Sequence, residues 1–289
     1  MTRIIVDSTC DLSQEYLDQF GIPVMPLRVL LDGVEYRDRM DIQIGDVYAR
    51  MRQGVLPKTS QIAPADLYET FSACAGRGED LIYIAFSAAM SGTCNLAAAV
   101  VEELRQEYPD RRMEVVDSMG GCLATGLIAL QAARLAAAGQ PYDRLLEQIR
   151  YLIEHVQHVF AVADLNWLVK GGRVNKIVGR TGSMLDIRPI LDVEEGRMKV
   201  IGFARGARKT FANIAELVAK RIAAFPEQIV GIAHADDPTQ AYQMKELLER
   251  TTSCKNFMIE RIGCVLGAHL GISGVGVFFF DARPDFYSF

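Results

Sequence analysis

Short apolar runs alternating with helix-length segments constrain this chain most. Arg3 to Asp7 reads as a strand, and so do Leu81 to Phe86 and Met113 to Val116. Leu81 to Phe86 is a continuous apolar run, as in a strand buried on both faces, and Met113 to Val116 reads as another buried strand. Helical patterns follow them, from about Thr93 to Tyr108 and from about Leu123 to Ala138. A β-α-β-α succession of this kind predicts a mostly parallel sheet with helices on its faces. Asp11, with Gln14 three residues on, reads as the N-cap of a helix through Phe20. Val24 to Leu31 reads as one strand leading into an Asp32-Gly33 hairpin turn. Pro64 opens a helix through about Cys74.

The pattern changes after Asp143 to Val156, an amphipathic helix with Leu145, Ile149, Leu152 and Val156 on one face. Val159 to Ala163, Ile229 to Ala233, Phe257 to Arg261 and Val275 to Phe280 read as strands. Pro189 to Val193 and Met198 to Phe203 read as a hairpin. Helices are expected over Asn213 to Phe225 and Thr239 to Arg250. The expected fold class is therefore α/β. An N-terminal domain, 1–156, carries the mostly parallel sheet. A second, α+β domain, 157–289, carries a mixed or antiparallel one.

Composition narrows the function. The 289 residues hold 31 Lys+Arg against 36 Asp+Glu, a net charge of −5. That balance argues against broad nucleic-acid binding and leaves at most transient membrane contact. The apolar run at the N-terminus stops at Asp7, too short for a signal peptide. The stretch from Val265 to Phe280 is broken by glycines, His269 and Ser273, and reads as loop plus buried strand. A cytoplasmic location is expected. No pair of the six cysteines has C-x-x-C spacing, so they read as reduced, buried small hydrophobes. His155 and His158 stand three apart on an expected helix, but no third ligand accompanies them, so no metal is expected. No G-x-G-x-x-G, no Walker-type phosphate loop and no G-x-S-x-G occurs. Nothing here supports a conventional nucleotide-binding enzyme or a serine hydrolase.

Ligands in open α/β sheets bind where strands end. Polar groups stand at three such ends: Asp7-Ser8-Thr9, Ser87 through Thr93, and Asp117-Ser118. Ser91 precedes a helix start, where a serine serves as an N-cap or helps to hold an anion. Thr59 and Ser60 lie in a polar stretch, Pro57 to Gln61, that reads as a loop capping the Pro64 helix. His269 lies between Gly267 and Gly271, in a stretch unsuited to a packed helix. It reads as a core histidine or as a donor to an anion.

At these residues the sequence resembles the DegV family, bacterial fatty-acid-binding subunits that serve a fatty acid kinase. The resemblance runs from Ile5-Val6-Asp7-Ser8-Thr9 through Lys58-Thr59-Ser60-Gln61, Ser91-Gly92-Thr93 and Val115-Val116-Asp117-Ser118. It continues through Lys170-Gly171-Gly172-Arg173-Val174, Arg205-Gly206 and His234 to Pro238, and ends on Gly267-Ala268-His269. It implies two domains with a long-chain fatty acid in the cleft between them. Thr59, Ser91 and His269 would hold the carboxylate. It also implies a non-catalytic protein, with no cofactor beyond the bound acid. A separate kinase would form the acyl phosphate, which passes on to phospholipid synthesis. Three positions depart from the family pattern. Cys94 stands where a tyrosine is usual, Ala88 where a serine is common, and Ala207 interrupts a basic run. The alternative is an acyl- or phosphate-ester hydrolase with Ser91 as nucleophile and His269 as base.

A fatty acid suits such a site. Burying about 14 methylenes at about 0.8 kcal/mol each gives about 11 kcal/mol before the cost of lost freedom. Hydroxyls and an imidazole then offset the cost of burying the head. Basic residues cluster at Lys170, Arg173, Lys176, Arg180 and Arg188, and again at Arg205, Arg208 and Lys209. They read as a solvated face or as a partner or phosphate contact, with Arg173, Arg205 and Arg208 as candidates. Phe160, Val162, Leu165 and Leu168 are candidates for the tail wall, with core packing as the ordinary reading of each.

Overall fold

The parallel sheet expected from the first half is present. The computed structural model describes residues 2–173 and 186–289. Strands β1 (Thr2–Asp7), β2 (Val24–Met25), β6 (Asp80–Ala85) and β7 (Met113–Asp117) form a four-stranded, all-parallel sheet in the order β2-β1-β6-β7. Strand order reverses between β1 and β6, so their carboxyl ends leave a crevice of the kind in which α/β proteins bind ligands. Beside this sheet, β3 (Arg28–Leu31), β4 (Val34–Arg37) and β5 (Lys58–Ser60) make a small antiparallel sheet. Asp32 and Gly33 both have positive φ, the twisted two-residue turn expected there.

The second half builds a six-stranded mixed sheet. Its strands are β8 (Val156–Ala161), β9 (Ile187–Glu194), β10 (Arg197–Arg205), β11 (Ile229–His234), β12 (Asn256–Arg261) and β13 (Val275–Phe280), in the order β10-β9-β8-β13-β11-β12. Only β11 and β12 run parallel; the other neighbours are antiparallel.

The helices in chain order are α1 (Gln14–Phe20), α2 (Ile44–Arg52), α3 (Pro64–Gly76), α4 (Thr93–Glu107) and α5 (Leu123–Ala137). They continue as α6 (Tyr142–His155), α7 (Leu165–Gly171), α8 (Ala207–Arg221), α9 (Pro238–Thr251) and α10 (Cys264–Leu270). Helix α5 touches β1 and β6 of the parallel sheet and β8, β11 and β13 of the mixed one. Every residue from Leu123 to Ala133 is buried. A helix apolar all round needs cover on every side, and the two sheets supply it.

Several local expectations are corrected. Asp11 caps no helix: it has φ 53°, and its carboxylate accepts the Gly263 N–H at 2.9 Å. The cap position of α1 is Ser13. Val24 to Leu31 is two strands in different sheets, broken at Pro26, which has no N–H to pair. Lys58 to Ser60 is strand β5 rather than a capping loop, and Ala63 precedes α3 without any side-chain cap. His269 belongs to a helix, α10 (Cys264–Leu270), and Gly267 within it leaves room for the Tyr48 ring to pack against the helix. His155 ends α6 whereas His158 lies on β8, so the two do not share a helix.

Candidate functional site

A cavity of about 290 Å³ lies at the carboxyl end of the parallel sheet, walled on the far side by β8, β13 and α10. That is near the lower end of ordinary ligand sites, about 300–1,000 Å³. Phe86 and Gly121 line it from the parallel-sheet side, and Phe160, Val162 and Phe278 from the mixed sheet. Val193 and Met198 of the β9–β10 hairpin close one flank. The hairpin is pinned there by Ser87, whose hydroxyl donates to the Gly196 carbonyl at 2.8 Å.

Thr59, Ser91, His269 and Arg173 all line this cavity. Thr59 sits on β5, paired opposite Val29 of β3. His269 sits near the end of α10, 210 residues away in sequence. Their side chains meet, with Thr59 Oγ1 and His269 Nε2 2.7 Å apart. Burial pushes the His269 ring down to about 4, and the Arg173 charge adds to that effect, so the ring is neutral near pH 7. Its other nitrogen, Nδ1, is buried without a partner among the described residues. Gly171, the last residue of α7, backs onto it so closely that a Cβ there would stand 2.4 Å from Nδ1. Ser91 shares the cavity but bonds neither Thr59 nor His269 among the described residues. Its hydroxyl donates to Thr93 Oγ1 at 3.1 Å and accepts the Thr93 N–H at 3.3 Å, at the start of α4.

This arrangement suits a carboxylate. With the ring proton on Nε2, His269 donates to Thr59, and the Thr59 hydroxyl proton is left to point at an anion. Ser91 offers a second hydroxyl, and Arg173 brings a cation to the exposed edge of the cavity. For nucleophilic catalysis Ser91 would need the imidazole within hydrogen-bond reach. Here the Nε2 that would serve it faces Thr59 instead.

Other sequence candidates fall outside the cavity. Arg205 ends β10 and Arg208 opens α8; both are exposed and neither lines it. Lys176, Arg180 and Val174 lie outside the described residues. Leu165 and Leu168 pack in a small cluster with Phe160 and Val162, but only the latter two line the cavity. Cys122 lines it and Cys94 does not. The acids at strand ends shape loops rather than face a ligand. Asp7 accepts from Thr9, from the Tyr83 hydroxyl at 3.1 Å and from the Phe86 N–H at 2.7 Å. Asp117 accepts the Ala88 and Met119 N–H groups. Sequence reasoning missed Phe278 and His158 as wall residues. The signal for His158 was its alternation with Phe160 and Val162 along one strand face.

Among the described residues there is no group of three or more His, Cys, Asp or Glu able to hold a metal ion. No helix among them is long and apolar enough to cross a membrane.

Comparison with known proteins agrees with the geometry. The family model described as "Uncharacterised protein, DegV family" matches residues 1–282. A DegV domain-containing protein of Clostridium perfringens is 32% identical over 279 residues, covering 96% of each chain. A solved structure from Thermus thermophilus, described as fatty acid binding of a DegV family protein, superposes with a TM-score of 0.86 at 27% identity. It covers 96% of this chain and 99% of its own. A stearic-acid-binding protein from Eubacterium ventriosum gives a TM-score of 0.90 at 25% identity, covering 96% of this chain and 97% of its own. The fold, the cavity's place in it and these matches agree: this chain belongs to the DegV family.

Proposed function

We propose that this chain binds a long-chain fatty acid without transforming it. The single observation that carries this reading is the Thr59–His269 pair at the edge of a cavity whose other walls are largely apolar. The tail supplies most of the affinity through burial of methylenes, at about 0.8 kcal/mol each. Thr59, Ser91 and His269 together hold the carboxylate: the two hydroxyls donate to it, each bond contributing about 1.5–3 kcal/mol, and His269 acts through the Thr59 hydroxyl that it orients. The solved relatives described as fatty-acid-binding support the same reading.

A separate fatty acid kinase phosphorylates the carboxylate while the tail stays sheltered, and the acyl phosphate is passed on for phospholipid synthesis. Arg173 at the cavity edge suits the added phosphate charge, and Arg205 and Arg208 are the proposed partner contacts. We place the protein in the cytoplasm, a reading supported by six unpaired, buried cysteines. We also divide the chain into domains 1–156 and 157–289 with the ligand between them. The parallel sheet is built wholly from the first and the mixed sheet almost wholly from the second.

Native mass spectrometry of the purified chain, before and after incubation with octadecanoic acid, tests the core of this. A one-to-one adduct is expected. A cavity that takes up no long-chain acid overturns the reading.

A further inference from the structure

We propose that Gln61 is a further head-binding residue, an amide donor to the anion beside Thr59 and Ser91, and that position 92 is glycine to make room for it. This rests on the fatty-acid reading and deepens it by adding a residue to the head site. Gln61 follows strand β5, two residues after Thr59, and Gly92 directly follows Ser91. All four line the same cavity. Gly92 stands at the cap position of α4 with φ −74° and ψ −6°, an ordinary helical conformation open to other residues. Its backbone therefore does not call for glycine. Gln61 does: a Cβ on Gly92 would stand 2.4 Å from Gln61 Oε1 and 3.7 Å from its Cδ. Beyond the chain neighbours of Gly92, no other side chain among the described residues comes within 4 Å of that point.

The amide thus reaches from the strand that carries Thr59 to the helix start that follows Ser91. Its oxygen faces Gly92, and its nitrogen lies beyond 4 Å of the same point. Gln61 is exposed and lines the cavity, and its amide hydrogen-bonds no described residue, so its two N–H groups are open to a ligand head. A carboxylate offers about four acceptor sites on its two oxygens. Thr59 and Ser91 bring two hydroxyls, while His269 spends its donor on Thr59. The amide meets acceptor sites that the hydroxyls leave over, and an anion leaving water needs each of them met. The 15-residue helix α4 turns the positive end of its dipole to the same place.

Calorimetric titration of the full chain with octadecanoic acid near pH 7 tests this. Gln61→Ala removes the amide, and binding about tenfold weaker is expected, a difference of about 1.4 kcal/mol. Gln61→Glu keeps the length and shape of the side chain but exchanges its donors for acceptors. It is expected to bind at least as weakly as Gln61→Ala. A side chain that served only as a spacer on Gly92 would give the opposite order, with Gln61→Glu binding like the wild type, and that order overturns the proposal. Undiminished affinity in Gln61→Ala overturns it too. Gly92→Ala should push the amide aside and weaken binding by a similar factor. Combined with Gln61→Ala, the two losses should fall well short of adding. Losses that add in full overturn the link between the two residues. A wild type that takes up no long-chain acid overturns the fatty-acid reading, and this proposal with it.

Discussion

Thr59 and His269 bring two kinds of chemistry to one point. Thr59→Val keeps the shape and removes the hydroxyl. Loss of one hydrogen bond to a charged head, about 1.5–3 kcal/mol, predicts a ten- to 150-fold weaker fatty acid affinity by calorimetry. Gly171→Ala should act at a distance. Its Cβ would stand 2.4 Å from His269 Nδ1, so the ring must shift away from Thr59 and affinity must fall, as calorimetry would read. A buried ring and a buried carboxyl also set a pH response. Burial takes His158 from 6.5 down to about 4, so the unfolded chain binds a proton that the folded chain refuses. The stability held by the neutral ring is complete above about pH 6.5 and drains away as pH falls toward 4. Asp11 works the other way. Burial raises it to about 7, so its contribution is present at low pH and is lost as pH rises through neutrality. The two slopes oppose each other, so the difference between proteins is the useful quantity. His158→Leu should lose less melting temperature than the wild type between neutral pH and about pH 5.

Elements with a strong period were legible in the sequence. Strand β6 is legible as an unbroken apolar run from Leu81, β7 as a short mostly apolar segment, and α5 as an alanine-rich helix. The hairpin between β9 and β10 was legible from its turn. Glu195 and Gly196 both have positive φ, 48° and 72°. Gly196→Ala should therefore strain the turn and press a Cβ to within 2.5 Å of the Ser87 hydroxyl. A loss of about 1–2 kcal/mol is expected in urea unfolding. Helix α2 went unread, and β5 and α10 were misread as loops. All are short, and β5 has no apolar alternation of its own. It is a strand because β3 offers it an edge at Arg28 to Leu30. Helix α10 holds despite Gly267 because Tyr48 packs against that glycine. The site was half legible for the same reason. Motif resemblance picked out Thr59, Ser91 and His269, but no local pattern brings a strand and a helix 210 residues apart to one hydrogen bond. Nor does any local pattern reveal that Arg205 and Arg208 lie away from the cavity.

At the scale of the whole molecule, the two larger sheets share one helix. The main buried cluster runs from Ile4 of the parallel sheet to Phe278 and Phe280 of the mixed one, while a second cluster packs α8 and α9 against the mixed sheet's other face. A ligand seated between the sheets should therefore stabilise the chain as a unit. At a free concentration about 100 times Kd the gain is about 2.7 kcal/mol. For a chain of this size that predicts a melting temperature about 5–10 °C higher, readable by differential scanning fluorimetry with octadecanoic acid.

The position of α5 also decides how the molecule can open. Proteins that clasp a ligand between lobes often swing apart about a hinge. Here such a swing would strip α5 from one of its two walls and bare a helix with no polar face to turn toward water. α5 acts as a keel rather than a hinge pin, so guests must enter through small movements at the rim while the hull stays closed.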